Sequence, residues 1–565
     1  MIGITRLRFG DVWWRVRADA AKWLFDSCGL PLDRWLKNGQ ASVVKQGPHR
    51  TVYRVQLDGH SVFIKHHRVA DARAMLSQWL QSSKGRREWN LAEQAADRDI
   101  PTFVPLALGE ERRGGFVFEN YLITEGIENV ESLDRFVEQS YARLPADRQA
   151  RIRRRLAESL ASLVARVHDA GIRHPDLHSG NVLVRLGDNH ALDLFLVDLH
   201  EARTGRQNDW RRSRRDLLAL GVFFETMARG ADRARFLRHY LELRPQLGLT
   251  LRGVAAELQR ELRHNALNRW HRLTERCVAN NRRYFFRGIG STHGFAAAEF
   301  GEPAFMALLR DPDAPFRAAS AEVLKDSASS AVVRVNMTVG GVTVPVIYKR
   351  FNCSKWLDPL RATVFYSPAL RAWRGGHGLL VRRIPTPRPL AVIERTGWPF
   401  IRETYLVAQA IPDSMSLREY LSGVVMHLAP DAQRRRIRWI VEQIGGLVRR
   451  MHACNISHRD LKSANFLVTP ATADTERPEL FVIDLAGVQS WRRLPMFRRL
   501  QNVARVLVSL TSCPAVRRSD AVRFLRAYFP QWARDRAGWR ELWNNVQSRA
   551  AQKIARNQRL QRPIT

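Results

Sequence analysis

No apolar run approaches the roughly 20 residues a helix needs to cross a bilayer, so a membrane-spanning helix is not expected. The first 25 residues set Trp13, Trp14 and Trp23 among Arg6, Arg8, Arg15 and Arg17. They lack the apolar region and small-residue cleavage site of a secretory signal, so export is not expected either. Cysteine is scarce. Cys28, Cys277, Cys353, Cys454 and Cys513 are scattered, without the paired spacing of a zinc site or disulfide framework, and a reducing cytoplasm follows. Acid is also short: 55 Asp and Glu stand against 91 Lys and Arg. The resulting net charge of +36, spread through both halves, suits a polyanionic partner. Zinc-finger, homeodomain and RNA-recognition signatures are missing, so an anionic membrane face or phosphorylated glycolipid is favoured over nucleic acid.

What is present is present twice. His174-Pro175-Asp176-Leu177-His178-Ser179-Gly180-Asn181 recurs 284 residues later as His458-Arg459-Asp460-Leu461-Lys462-Ser463-Ala464-Asn465. Lys65 and Lys349, Trp89 and Trp373, Ile100-Pro101-Thr102 and Ile384-Pro385-Thr386, and His168 and His452 keep the same offset. A register held over more than a hundred residues marks a duplicated domain. Length agrees, because 565 residues exceed one core.

Apolar alternation over residues 42–55 and 61–65 predicts paired strands, and helical spacing follows near residues 86–97, together a small N-lobe. Ile152, Leu156, Leu160, Leu163 and Val167 predict a helix that Gly171 stops, leading into the His174 motif. Helical pattern from Leu217 to Tyr284 completes a C-lobe, and Arg235-Phe236-Leu237-Arg238 returns as Arg523-Phe524-Leu525-Arg526. The expected fold is α+β, two tandem bilobal domains. Gly288, Gly290, Gly294, Gly301, Pro312 and Pro315 place the boundary near residue 290, dividing 1–290 from 291–565.

The repeated residues are those that phosphoryl transfer needs: a cation on the nucleotide phosphates, oxygen ligands for Mg²⁺, and a base for the acceptor. Lys65 ends an apolar strand and would hold the α/β-phosphates of ATP, with Glu88 fixing its ammonium. Asp176 would orient and deprotonate the acceptor hydroxyl. Asn181, five residues on, and Asp198, closing Leu194-Phe195-Leu196-Val197, would offer oxygen to Mg²⁺. The second copy keeps Lys349, Asp460, Asn465 and Asp484.

On these residues the chain resembles the protein-kinase-like superfamily. Through His-Pro-Asp-Leu-His-x-Gly-Asn at 174–181, Arg87-Glu88-Trp89, and the Ile-Pro-Thr-x-x-Pro-Leu-Ala stretches at 100–107 and 384–391, it resembles the Kdo/WaaP lipopolysaccharide kinases more narrowly. The resemblance implies protein-kinase-like folding of each half. It also implies ATP-dependent phosphorylation of a Kdo or heptose hydroxyl of the lipopolysaccharide core, at the cytoplasmic face of the inner membrane.

Three departures shape that expectation. Residues 46–51 contain only Gly47 where a glycine-rich loop would cradle phosphate, and no Phe-Gly follows Asp198 or Asp484. Asp216, which resembles the residue bracing the catalytic loop, comes 18 residues after Asp198, leaving little platform for a peptide and suiting a compact acceptor. In the second copy Ala372 stands where Glu88 is expected and Asn502 where Asp216 is. Two rival readings follow: a protein Ser/Thr kinase acting through the His458-Arg459-Asp460-Leu461-Lys462 half, or a pseudokinase that regulates the first domain.

Further residues invite a reading. Arg211, Arg212, Arg214 and Arg215, and Arg492, Arg493, Arg498 and Arg499, would rim the two sites for phosphate or form solvated helix faces. Trp13, Trp14 and Trp23 would anchor an amphipathic helix in headgroups or pack on the N-lobe. His174, His458, His168 and His452 are read as props of the loop, and His178 and Lys462 as contacts to phosphate or acceptor.

Overall fold

Strict alternation in Ile4–Phe9 (β1) and Val12–Arg17 (β2) makes a hairpin that opens the first sheet, where Trp14 and Val16 face inward and Trp13 faces out. The computed structural model describes residues 3–47, 49–68, 82–113, 116–187, 191–352, 366–397, 400–469 and 478–561. The chain forms two compact units that divide at Ala266 and Leu267.

In the first unit, Ala18–Leu24 (α1) and Leu32–Lys37 (α2) precede Ala41–Gly47 (β3), Arg50–Leu57 (β4) and His60–Arg68 (β5). Helix α3 (Lys84–Ala96) follows, then Pro105–Arg113 (β6) and Phe116–Glu125 (β7). The strands form one sheet in the order β1-β2-β6-β7-β5-β4-β3. The Trp13–Trp23 segment is therefore strand and short helix: Trp14 is buried, Trp23 stacks on His60, and Arg8 lies over Trp13. Packing on the N-lobe is the reading that holds, and no long amphipathic helix forms there.

Helix α3 is capped by Ser83, whose hydroxyl accepts from the Arg86 amide. It presses closely on the sheet because Gly85 has no side chain. A Cβ there would stand 2.9 Å from Asn120 and Leu108 atoms. Trp89 is buried beneath it, and this seating aims Glu88 at β5.

The C-lobe is helical. Ala146–Asp169 (α4), Trp210–Met227 (α5), Gly230–Glu242 (α6) and Leu251–Glu275 (α7) pack around Leu160, Leu177, Leu194, Leu217 and Tyr240. Gly171 ends the α4 segment at positive φ, where a Cβ would meet the Gly205 carbonyl at 2.2 Å. The paired strands Val182–Leu186 and Leu192–Leu196 carry the exit of the loop at 174–181 and the strand before Asp198.

The second unit repeats the plan. Tyr284–Ile289 (β8), Thr292–Ala297 (β9), Glu322–Ser327 (β10), Ser330–Val339 (β11), Val342–Asn352 (β12), Pro389–Gly397 (β13) and Phe400–Gln409 (β14) form a sheet in the order β8-β9-β13-β14-β12-β11-β10. Its longer helices are Pro368–Val381 (α8), Pro430–Ala453 (α9), Met496–Thr511 (α10), Arg518–Tyr528 (α11) and Arg536–Arg559 (α12). A cut at residue 290 would fall between β8 and β9, so the expected boundary is displaced. The glycines at 288, 290 and 294 serve the tight β8–β9 hairpin, and no such break marks the true division, which lies inside α7.

Candidate functional site

The site of the first unit grows from three pieces of backbone. Strand β5 places Lys65 opposite Val52, with only 11% of its side chain exposed. Its ammonium pairs with Glu88, which is wholly buried, and stands 3.8 Å from Asp198 Oδ1 and 5.1 Å over the Phe103 ring. The structure thus brings Lys65 and Glu88 together across the sheet and helix.

The second piece is the turn at Asp198. Its φ of 61° is left-handed, a conformation that Asp tolerates better than bulky residues, and it swings the carboxylate toward the N-lobe. There His200 Nδ1 lies 2.7 Å away and Arg50 Nη1 3.3 Å away. Burial alone would raise the pKa of this carboxyl, but the His200 bond and the charges of Lys65 and Arg50 hold it well below the usual range.

The third piece is the loop at 174–181. The His174 amide donates to Asp216 at 2.9 Å, and Asn181 donates its side-chain amide to the Asp176 carbonyl, also at 2.9 Å. That bond spends the Asn181 nitrogen, so its amide oxygen is the group available to a cation. The Val197 amide donates to the Asn181 carbonyl, which sets Asn181 beside the Asp198 strand. Asp176 is the open member: its side chain is 60% exposed, and His178 Nε2 lies 3.6 Å from it. His168 and His174 are buried and kept neutral by burial; His168 bonds Tyr240 and flanks Asp216, a bracing role.

The sequence reading missed two features. Arg50 lies in the segment where a glycine-rich loop would stand, and nothing in the neighbouring sequence marks it out. The repeated Ile-Pro-Thr is a staple: Thr102 donates its hydroxyl to the Leu196 carbonyl at 2.6 Å, and the Leu196 amide donates to the Pro101 carbonyl. Thr386 makes the same bond to Val482, 2.7 Å long, and the Val482 amide the same bond to Pro385. The repetition of this tripeptide is its only sequence signal.

The second unit places its residues alike, with one rearrangement. Ala372 is buried on α8 where Glu88 stands on α3, and Lys349 turns instead to Asp484, Nζ to Oδ1 3.2 Å. Helix α8 fits close: a Cβ on Gly375 would be 2.7 Å from the Leu485 carbonyl oxygen. Ser330, opposite Phe351, holds the place of Arg50, opposite His67. Asp484 also has a left-handed φ of 57°; burial would raise its pKa, and Lys349 and His458 lower it on balance.

Asn502 does not loosen the loop. It accepts from the His458 amide at 3.0 Å and donates to the His458 carbonyl at 2.8 Å, so it braces as Asp216 does. Asn465 donates to the Asp460 carbonyl at 2.6 Å, and Lys462 Nζ lies 3.1 Å from Asp460 Oδ2. Of the arginine runs, Arg214 is engaged by Glu257 and Glu261, and Arg499 by the His452 carbonyl, whereas Arg211, Arg212, Arg492 and Arg493 are exposed.

Among the described residues no three His, Cys, Asp or Glu side chains converge as a metal cage. One carboxylate and one amide oxygen per site fit Mg²⁺, which takes few protein ligands and completes its shell with water and phosphate.

Comparison with known proteins gives the family. The model described as the lipopolysaccharide kinase (Kdo/WaaP) family matches residues 34–240 and again 357–528. Lipopolysaccharide core heptose(I) kinase WaaP of Escherichia coli is 29% identical over 217 residues, covering 36% of this chain and 79% of the relative. The enzyme of the same name from Pseudomonas aeruginosa is 27% identical over 226 residues, covering 37% and 82%. A solved structure described as WaaP in complex with acyl carrier protein is 22% identical, with a TM-score of 0.34, covering 46% of this chain and 98% of that one. With two thirds of its length matched by the family model, and matched in two successive copies, the chain belongs to the lipopolysaccharide kinase (Kdo/WaaP) family and is a phosphotransferase acting on an alcohol group.

Proposed function

We propose that the first domain transfers the γ-phosphoryl group of ATP to a sugar hydroxyl of the lipopolysaccharide core, a heptose in preference to Kdo because the relatives are heptose(I) kinases. The observation that carries this reading is the pairing of Lys65 with Glu88 beside Asp198, facing an open Asp176. Lys65 takes the α/β-phosphates. Asn181 and Asp198 would hold Mg²⁺, which would neutralise charge on the phosphates when bound. Asp176 accepts the proton of the acceptor hydroxyl as its oxygen forms the new bond to γ-phosphorus and the bond to the β-phosphate oxygen breaks, leaving ADP.

The second domain offers Lys349, Asp460, Asn465 and Asp484 without a partner glutamate, and the hold of Lys349 on Asp484 supports its reading as the supporting domain. The protein works at the cytoplasmic face of the inner membrane; no described helix is long and apolar enough to cross it, and the +36 charge supports contact with an anionic surface. The test is transfer of labelled γ-phosphate to dephosphorylated lipid A–core, with Asp176→Asn alongside. Label in glycolipid that disappears in the variant is expected. Label in polypeptide, or in glycolipid made equally by the variant, would overturn the reading.

A further inference from the structure

The second domain carries a cluster of cations that the first lacks. Helix α10 lies along the second catalytic loop, since Asn502 bonds both polar backbone atoms of His458 and Ser509 accepts from the Ser463 amide at 2.9 Å. Arg505 sits between them at helical spacing, three residues after Asn502 and four before Ser509, so it emerges beside residues 459–462. On α12, Lys553 follows the buried Val546 and Ala550 at the same spacing, on the face that packs against α10. With Lys462 Nζ 3.1 Å from Asp460, three cations surround one carboxylate, and Arg556 adds a fourth one turn beyond Lys553.

Arg505 and Lys553 are both half-buried, and among the described residues neither has a carboxylate at ion-pair distance. Burial and then the charge of Arg505 push the Lys553 ammonium toward its neutral form, with Asp460 opposing. A half-buried cationic surplus of this kind is expensive unless an anion completes it. The arginine-rich composition does not explain it. In the first domain the helix residue that braces the loop is Asp216, and counting from it puts Ala219 at the position of Arg505 and His178 at that of Lys462.

We propose that this face of the second domain, built by Lys462, Arg505 and Lys553 beside Asp460, is a binding site for a phosphate monoester or diphosphate group. A guanidinium fork with two ammonium point charges matches a phosphate dianion. That the bearer is the sugar phosphorylated by the first domain rests on the proposed function; recognition of the phosphate itself does not.

The test is calorimetric titration of the full-length protein with inorganic pyrophosphate, at about 0.3 M KCl to screen diffuse attraction. Saturable binding at one site is expected, weakened about tenfold or more by Arg505→Ala and by Lys553→Ala. The exposed pair Arg492→Ala/Arg493→Ala is the control and should bind within about twofold of wild type. Equal loss in that control, or no saturable binding, would overturn the proposal. Lys349→Ala separates the two sources of phosphate: unchanged binding supports a site at the loop, and a loss as large as that of Arg505→Ala would assign the anion to a nucleotide and sink it.

Protection of Lys553 from acetylation by pyrophosphate, read by mass spectrometry on the wild-type chain, needs no variant; unprotected Lys553 would contradict the site. Because no glycolipid enters these assays, their failure leaves the sugar-kinase reading standing, and the reverse also holds.

Discussion

Removing Glu88 should turn the first site into the second. Glu88 is wholly buried and Lys65 nearly so, and cutting one partner from a buried pair ordinarily costs about 3–5 kcal/mol of stability. Here Lys65 has a second carboxylate at 3.8 Å, Asp198, whose counterpart in the second domain, Asp484, has already captured Lys349 at 3.2 Å. With an effective dielectric near 20, those two separations differ by only about 1 kcal/mol, so the ammonium loses little by crossing over. The predicted stability loss for Glu88→Ala is therefore about 2 kcal/mol, below the ordinary range. Activity should suffer more, because a lysine drawn onto Asp198 leaves the phosphates and competes for the carboxylate that the cation needs. A fall of about 100-fold in kcat/KM, close to 2.7 kcal/mol of transition-state stabilisation, is expected in steady-state γ-phosphate transfer. Glu88→Gln, which keeps the volume, should fall nearly as far. If Glu88→Gln transfers phosphate within about threefold of wild type, the argument from pairing is refuted.

Asp176→Asn should lower kcat by about 10³-fold or more with a small effect on melting, because its side chain is largely in solvent; Asp460→Asn should lower transfer by less than about threefold if catalysis belongs to the first domain. Thr102→Val should cost about 1–2 kcal/mol in denaturant unfolding by stranding the Leu196 carbonyl, with Thr386→Val costing the same at Val482. Burial, then the charges of Arg50 and Lys65, hold the His67 pKa down to about 3, so below pH 6.5 the unfolded chain takes up a proton that the folded chain refuses. Stability is then lost as pH falls from 6.5 toward 3, at up to about 1.4 kcal/mol per pH unit from this group. His67→Phe, the residue the second copy carries as Phe351, should flatten that acid limb in thermal melts; an unchanged limb would contradict the assignment.

Much of this was legible because the residues proposed to do the chemistry are also the residues that repeat. The offset of 284 located Lys65, Asp176 and Asn181 together with their counterparts, with Asp198 and Asp484 two residues further apart, and the structure sets Lys65 near Asp198 and Asn181 on the Asp176 carbonyl. What stayed hidden depends on neighbours that sequence distance does not bring together. Ala372 read as a plain loss, but its consequence, Lys349 moving to Asp484, is a matter of three dimensions. Asn502 read as a loss too, yet an amide offers both an acceptor and a donor to His458, so the brace survives. Arg50 was invisible since the β11–β12 hairpin is four residues longer than β4–β5, which shifts its counterpart to Ser330 and breaks the offset there. The boundary was misplaced because the helix that crosses it has no glycine or proline beyond its first turn, while turn glycines cluster where a hairpin needs them.

The staples at Thr102 and Thr386 have a mechanical consequence. Each fastens the joint between N-lobe and C-lobe to the strand that ends two residues before a left-handed aspartate, Asp198 or Asp484. A lobe cannot hinge at that joint without dragging the carboxylate with it, so closing over a nucleotide would pivot about these strands as fixed axles. The amides of Leu196 and Val482, which lock to Pro101 and Pro385, should then be among the slowest to exchange with deuterium in either lobe junction, whatever the nucleotide state.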